Sequence, residues 1–518
     1  MIDIAALTEA DRKGMFPAFW AKVKPGAPAV YDRFGMRSFG QVNANANRIV
    51  RLLRELGVVA GAHIAFLTSN RCEVMEILAA NMRGGYRLTP INWHFTESEV
   101  AFILDDCDAE ALFVETRFEA ALAAARASNR LRARIAIGGT AEGFLTLDAA
   151  LAHIDGSDIE DPVLGGTMFY TSGTTGRPKG VMRPKPLFLL DGALANYDHQ
   201  TDVQLCAGPT YHGAPLTVET RTAMTGGCPV VFLDRWDSHE VLRTIEQKRI
   251  THAHLVPIMF QRLLAIPAEE RARYDVSSLK HIVHGAAPCP PEVKRAMIDW
   301  LGPILNEYYS ASEGGARFSL TSQEWLAKPG SVGKRPADLQ VRILDDEDQE
   351  CPPGVPGRIF HQRSGDNPFI YYKDPDKTDQ VYAGEFFHLG DIGYFDEDDY
   401  LYLTGRSAEC IISGGVNIYP QEIDNELLKH PAVEDSATVG APNAEWGEEV
   451  RAVIQLRPGF DPSDALVQEI LATARRGLAS YKVPRAVDFV AELPRNAAGK
   501  IQRGKVRAPY WAGRDRQI

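Results

Sequence analysis

Residues 170–180 read YTSGTTGRPKG and directly follow the apolar approach Gly166–Phe169. Beyond the tyrosine, four hydroxyl side chains, three glycines and one lysine fall within these eleven residues. Glycine lets backbone N–H groups come close to oxygen anions, and hydroxyls add further donors. The stretch predicts a loop built to hold a triphosphate tail, with Thr171, Ser172, Gly173, Thr174, Thr175 and Lys179 as its donors. It lacks the GxxxxGK[ST] spacing of a P-loop. A solvated Gly/Thr turn is the plainer reading, and the donor density around a single flexible lysine weighs against it.

Outward from this loop, short apolar strands alternate with amphipathic helices. His63–Thr68 predicts a strand and a helix follows it to about Gly84; Ala111–Glu115 and Phe118–Ala127 repeat the pair. Pro229–Leu233 precedes a helix over Ser238–Lys248, Thr251–Val256 precedes Pro257–Ala265, and His281–His284 precedes a proline-started helix over Pro291–Leu301. Such alternation implies mostly parallel sheets with helices on their faces. After about residue 330 the pattern changes to short strands at Val341–Leu344, Gly357–Gln362 and Tyr400–Leu403, separated by Gly, Pro and Asp. These predict a small β subdomain. A last α+β segment starts near Arg406, with helices over Pro420–Leu428 and Ala465–Leu478 and strands near Glu434–Val439 and Val450–Leu456. The fold class is α/β in two unequal lobes, 1–405 and 406–518, joined without a long linker.

Four more segments carry chemistry. Glu307–Gly315 (EYYSASEGG) offers an aromatic face, a hydroxyl and a carboxylate able to hold Mg²⁺ through oxygen. Gly384–Gly393 (GEFFHLGDIG) presents Asp391 on a Gly-flanked turn, suited to ribose hydroxyls, and Gly405–Arg406 follows. Ser413–Glu422 (SGGVNIYPQE) is a second glycine turn, leading into a helix. Pro494–Lys500 (PRNAAGK) places a lysine behind a Gly-containing loop near the C-terminus. A lone surface lysine ordinarily means nothing, so its weight comes from the company of the other segments.

Composition sets limits. The chain has 518 residues, 45% of them apolar and 24% charged, which is ordinary for a large globular protein. Sixty-eight acids against 56 bases give a net charge of −12, which argues against a general nucleic-acid binder. Seven cysteines, at 72, 107, 206, 228, 289, 351 and 410, show neither CxxC nor zinc-type spacing and read as reduced. The N-terminal stretch MIDIAALTEADRKGMF has no apolar signal core, and no run approaches a membrane span, so a cytoplasmic protein is expected. His252 and His254 share a strand face but lack a third ligand, so no metal site is read there.

Taken together, YTSGTTGRPKG and PRNAAGK, in order across nearly the whole chain, resemble the AMP-forming adenylating enzymes, the superfamily of acyl- and aryl-CoA synthetases. The resemblance implies a large N-terminal lobe and a mobile C-terminal lobe. It implies a carboxylate that attacks the α-phosphate of MgATP, and a thiol, usually that of coenzyme A, that then displaces AMP. It would place Lys500 between carboxylate and α-phosphate, Ser312 on the α-phosphate, and Glu313 on Mg²⁺. Tyr309 would stack on adenine against Gly285, Ala286 and Ala287, and Asp391 and Arg406 would hold the ribose. His212 takes the aromatic-gate position of the acyl pocket, whose wall would include Tyr211–Pro215, and Gly415 would border the pantetheine tunnel. Rotation about a hinge near Glu409 would exchange the two half-reactions.

The chain departs from the family pattern at Ser310, Ser312, Leu389 and Ala408–Glu409, losing no acid or base. No acid stands among the pocket positions that would pair with an amino group, so an uncharged acyl tail is expected. Medium- or long-chain, aryl and steroid side-chain acids all stay open. An amine or a carrier-protein thiol is the alternative acceptor. The partners expected are the small acid and CoA, with no nucleic acid or stable membrane insertion, and the sequence leaves a homodimer open.

Overall fold

The computed structural model describes residues 2–172, 178–337, 339–365, 367–413, 416–443, 445–496 and 499–512. Gly173, Thr174, Thr175 and Gly415 lie outside them, and of Ser172 only the backbone is described.

Strand His63–Leu67 is almost wholly apolar and buried, the pattern of a strand covered on both faces. It runs parallel to Arg87–Pro90 and Ala109–Glu115 inside an eight-stranded sheet. That sheet also holds Gly166–Ser172, whose antiparallel partner Pro178–Met182 in turn pairs with the edge strand Ile370–Tyr371. A second eight-stranded sheet places Leu305–Ala311, His281–His284, His252–Leu255, Gln204–Cys206, Val230–Phe232 and Pro28–Asp32 in parallel. Antiparallel strands Gly314–Thr321 and Gly35–Ser38 close its two edges. Helix Cys72–Gly84 is buried along its whole length and packs in one core with strands of both sheets.

Local sequence accounts for many boundaries. Helix Ser238–Lys248 begins where the Asp237 carboxylate accepts from Glu240 N (2.8 Å) and ends where Arg249 turns left-handed (φ 51°). It buries Val241, Leu242 and Ile245.

A third, antiparallel sheet orders Ser331–Lys334, Tyr400–Arg406, Phe386–Phe395, Gly357–Gln362 and Val341–Leu344. Two expectations are corrected here. Asp391 sits inside the strand Phe386–Phe395, not on a turn, because both neighbouring strands supply hydrogen-bond partners to this glycine-rich run. The strand expected over Tyr400–Leu403 continues to Arg406, which pairs with Asp391 in the third sheet. After the short 3₁₀ turn Ser407–Glu409, strand Ile411–Ser413 enters a separate sheet with Val416–Ile418, Gly447–Leu456, Val433–Asn443 and Ala486–Val490. Helices Pro420–Leu427 and Asp464–Gly477 cover it.

Among the described residues the seven cysteines form no disulfide, and Cys72, Cys107, Cys206 and Cys228 are buried. Among the described residues no helix is long and apolar enough to cross a membrane.

Candidate functional site

The strand pair Gly166–Ser172 and Pro178–Met182 sets Thr171 opposite Lys179 and Ser172 opposite Pro178. Tyr170 is taken up by a hydrogen bond to the Asp106 carboxylate, so it anchors the hairpin. Lys179 Nζ lies 5.3 Å from the centre of the Tyr371 ring, and the Tyr371 hydroxyl donates to Glu313 Oε1 at 3.1 Å. Burial and the nearby Lys377 lower the Lys179 pKa, while Asp374 and Glu313 oppose them. Cation and carboxylate thus meet across one tyrosine, although 134 positions separate them in sequence.

Glu313 is held by its own backbone. Strands Leu305–Ala311 and Gly314–Thr321 close over Ser312–Glu313, and Arg183 Nη2 donates to the Glu313 carbonyl at 2.8 Å. Gly314 has φ +94°, and a Cβ there would stand 1.7 Å from Arg183 Nη2. The left-handed backbone favours glycine here, and a side chain would also have to displace the guanidinium tip. Ser312 is exposed on the same turn. No group of three or more His, Cys, Asp and Glu able to hold a metal is present among the described residues. A single carboxylate near the Lys179 ammonium would instead suit Mg²⁺ arriving with a nucleotide, because Mg²⁺ keeps most of its water and takes one or two carboxylates plus phosphate oxygens.

Asp391 accepts from the Tyr309 hydroxyl (2.7 Å, Oδ2) and pairs with Arg406 Nε (2.9 Å, Oδ1). Burial works against the Arg406 charge, yet Asp391 and Glu409 outweigh it and hold its pKa above the ordinary value. Burial and the same aspartate push the Tyr309 phenol well up. The ring against Gly285 is Tyr308: a Cβ on Gly285 would meet Tyr308 Cε1 at 2.6 Å. Ala286 follows with φ +66°, a left-handed conformation that costs a non-glycine residue about 1 kcal/mol or more. Tyr309 lies on the strand that adjoins His281–His284, which leads into the Gly285–Ala287 turn, and its hydroxyl is directed to the aspartate.

Lys500 lies in the stretch that follows strand Ala486–Val490. Its N–H donates to Asn496 Oδ1 (2.9 Å), Asn496 N–H donates back to the Lys500 carbonyl (2.9 Å), and Arg495 Nη1 holds the Gly499 carbonyl (2.7 Å). Gly499, at φ +77°, lies so close to Ile258 that a Cβ would stand 2.5 Å from its Cγ2. Burial and then Arg406 lower the Lys500 pKa, while Glu409 and Asp391 raise it. The lysine therefore shares one electrostatic neighbourhood with the Asp391–Arg406 pair. Glu409 in turn pairs with Arg503 Nε at 3.3 Å.

His212 stands edge-on to Tyr211, and burial pushes its pKa down to about 4, so the ring is neutral at pH 7. It begins a segment that continues as a π-helix, Ala214–Arg221. That helix carries Glu219, only 1% exposed, with His254 Nδ1 at 2.9 Å and, through His254 Nε2, the Tyr308 hydroxyl at 3.2 Å. Sequence reasoning missed this carboxylate, as it missed Arg183 and Tyr371. A lone acid within APLTVETRTAM was the only available signal for Glu219.

Comparison with known proteins matches residues 18–365 to the family described as AMP-binding enzyme and 422–500 to the AMP-binding enzyme C-terminal domain. The chain is 32% identical over 503 residues to an indoleacetate–CoA ligase of Aromatoleum aromaticum, covering 94% of this chain and 96% of that protein. Its structure resembles the anthranilate CoA ligase AuaEII in complex with anthranoyl-AMP (TM-score 0.86, 25% identity, 96% and 97% covered). It also resembles the amide bond synthetase McbA from Marinactinospora thermotolerans (TM-score 0.82, 27% identity, 96% and 99% covered).

Proposed function

The chain belongs to the AMP-binding enzyme family, and from that premise we propose that it ligates a carboxylic acid to coenzyme A through an acyl-adenylate, releasing pyrophosphate and then AMP. The observation that carries this reading is Lys500, set in the same electrostatic neighbourhood as Asp391 and Arg406 by a loop seated on Ile258. A nucleotide-binding scaffold has no need of such a lysine. In-line attack of one anion on another needs charge neutralisation at the reacting atoms, and a positioned ammonium supplies it.

The residues take the following roles. Thr171, Ser172, Gly173, Thr174, Thr175 and Lys179 hold the β- and γ-phosphates. Ser312 meets the α-phosphate, and Glu313 accepts the Mg²⁺ that ATP brings, which neutralises phosphate charge. Tyr309 and Gly285–Ala287 bound the adenine, and Asp391 and Arg406 take the ribose hydroxyls. His212, neutral, gates the acyl pocket. Residues up to Arg406 form the adenylating lobe and those from Ser407 onward the mobile lobe. Glu409 marks the hinge, and Gly415 borders the path of the pantetheine thiol. Dependence on ATP and CoA favours a cytoplasmic setting.

The substrate is read as an aromatic acid, in keeping with the indoleacetate and anthranilate ligases it resembles. An amine acceptor is a second reading, favoured by the likeness to an amide bond synthetase. Mass spectrometry of reactions with MgATP and a panel of aliphatic, aryl and steroid acids, with and without CoA, tests both. Acyl-CoA with AMP is expected. Acyl-adenylate that forms no thioester despite added CoA, but yields amide with an added amine, would overturn the CoA assignment.

A further inference from the structure

Glu313 is held at both its backbone and its side chain. Arg183 donates through Nη2 to the Glu313 carbonyl (2.8 Å) and through Nη1 to the Asn367 carbonyl (2.7 Å). The Tyr371 hydroxyl donates to the carboxylate at Oε1 (3.1 Å). Among the described residues no other hydrogen bond reaches this carboxylate, so Oε2 is left for a further partner.

Tyr371 is itself fixed. It is 7% exposed and packs with Val181, Phe369, Val381 and Phe387, with the Phe369 ring edge-on and its centre 5.5 Å away. Its backbone pairs with Val181, and its N–H donates to Thr378 Oγ1 at 3.0 Å. Packing thus sets the rotamer that delivers the hydroxyl. The face of the same ring has a second use, because Lys179 Nζ lies 5.3 Å from its centre, within range of attraction between ammonium and ring. One side chain therefore serves the carboxylate through its hydroxyl and the lysine through its face. Tyr371→Phe separates the two contacts, since it keeps the face and deletes only the hydroxyl.

We infer that Tyr371 is a positioning residue for metal binding, whose hydroxyl holds one oxygen of Glu313 and so presents the other to the Mg²⁺ that arrives with ATP. This rests on the assignment of Glu313 to Mg²⁺ proposed above and adds the group that orients it. Removing the hydrogen-bond partner of a ligating carboxylate weakens metal binding by about 10–100-fold.

The test is calorimetric titration with ATP in the absence of any acid, so that nothing turns over, once with Mg²⁺ and once with EDTA. The ratio of the two dissociation constants is the gain in affinity that Mg²⁺ supplies. Tyr371→Phe should lower that gain by about 10-fold and leave Kd in EDTA within about twofold of the wild-type value. A tyrosine that only stabilised the fold would weaken both titrations alike. An unchanged gain, or an equal loss with and without Mg²⁺, would overturn the inference. Glu313→Gln separates the inference from its premise. If that variant keeps the full gain, Glu313 does not hold Mg²⁺ and the premise fails. If it loses the gain while Tyr371→Phe keeps it, the positioning role alone fails.

Discussion

Gly314 shows how much one missing side chain carries. Its φ of +94° strains any side chain, and a Cβ would push aside the Arg183 guanidinium that donates to the Glu313 carbonyl. Gly314→Ala should destabilise the protein by roughly 1–3 kcal/mol and lower adenylation more than it lowers thermal stability would suggest. Thermal melting and pyrophosphate exchange measure the two effects. Lys500 offers a second check at this scale. Its ammonium is the form that neutralises charge, and burial with Arg406 nearby lowers its pKa, so the proton is lost at a lower pH than from an ordinary lysine. Adenylation should therefore fall on the alkaline side before the usual lysine range of about 10.4. In Lys500→Arg that limb should move up or vanish, since arginine does not titrate there. An unmoved limb would assign it to another group.

Elements differed in how legible they were. Helix Ser238–Lys248, strand His281–His284 and helix Pro291–Leu301 match the sequence reading to the residue, because caps, proline and apolar period all agree. The run Gly384–Gly393 did not, since its glycines signal a turn while strand partners on both sides impose pairing. The π-helix over Ala214–Arg221 has no sequence signature, so Glu219 could not be placed from its neighbours. Nor could periodicity decide which of two consecutive tyrosines, Tyr308 or Tyr309, turns toward Gly285. At the 3₁₀ turn Ser407–Glu409, Glu409 is tied to Arg503. Glu409→Pro, which also restricts Ala408, should spare adenylation and block thioester formation. Separate assays of acyl-adenylate and acyl-CoA decide this, and thioester formed at the wild-type rate would move the hinge elsewhere.

Across the whole molecule, the site is a meeting of distant pieces: the strand pair 166–172 and 178–182, a turn at 312–313, a strand at 391, its partner at 406 and a loop at 500. Each piece was legible as a motif, but their convergence depends on sheet order, which no local pattern encodes. The links that make it a single site came only from the three-dimensional arrangement. Arg183, just after the strand Pro178–Met182, donates to the 312–313 turn, Tyr371 joins Lys179 to Glu313, and Gly499 seats the lysine loop on Ile258. The central claim is that Lys500 serves the first half-reaction and not the second. Lys500→Ala should lose about 10²–10³-fold or more in adenylation, as for removal of a donor to transition-state charge. It should still convert a supplied acyl-adenylate and CoA to thioester near the wild-type rate. Equal loss in both half-reactions would contradict the account.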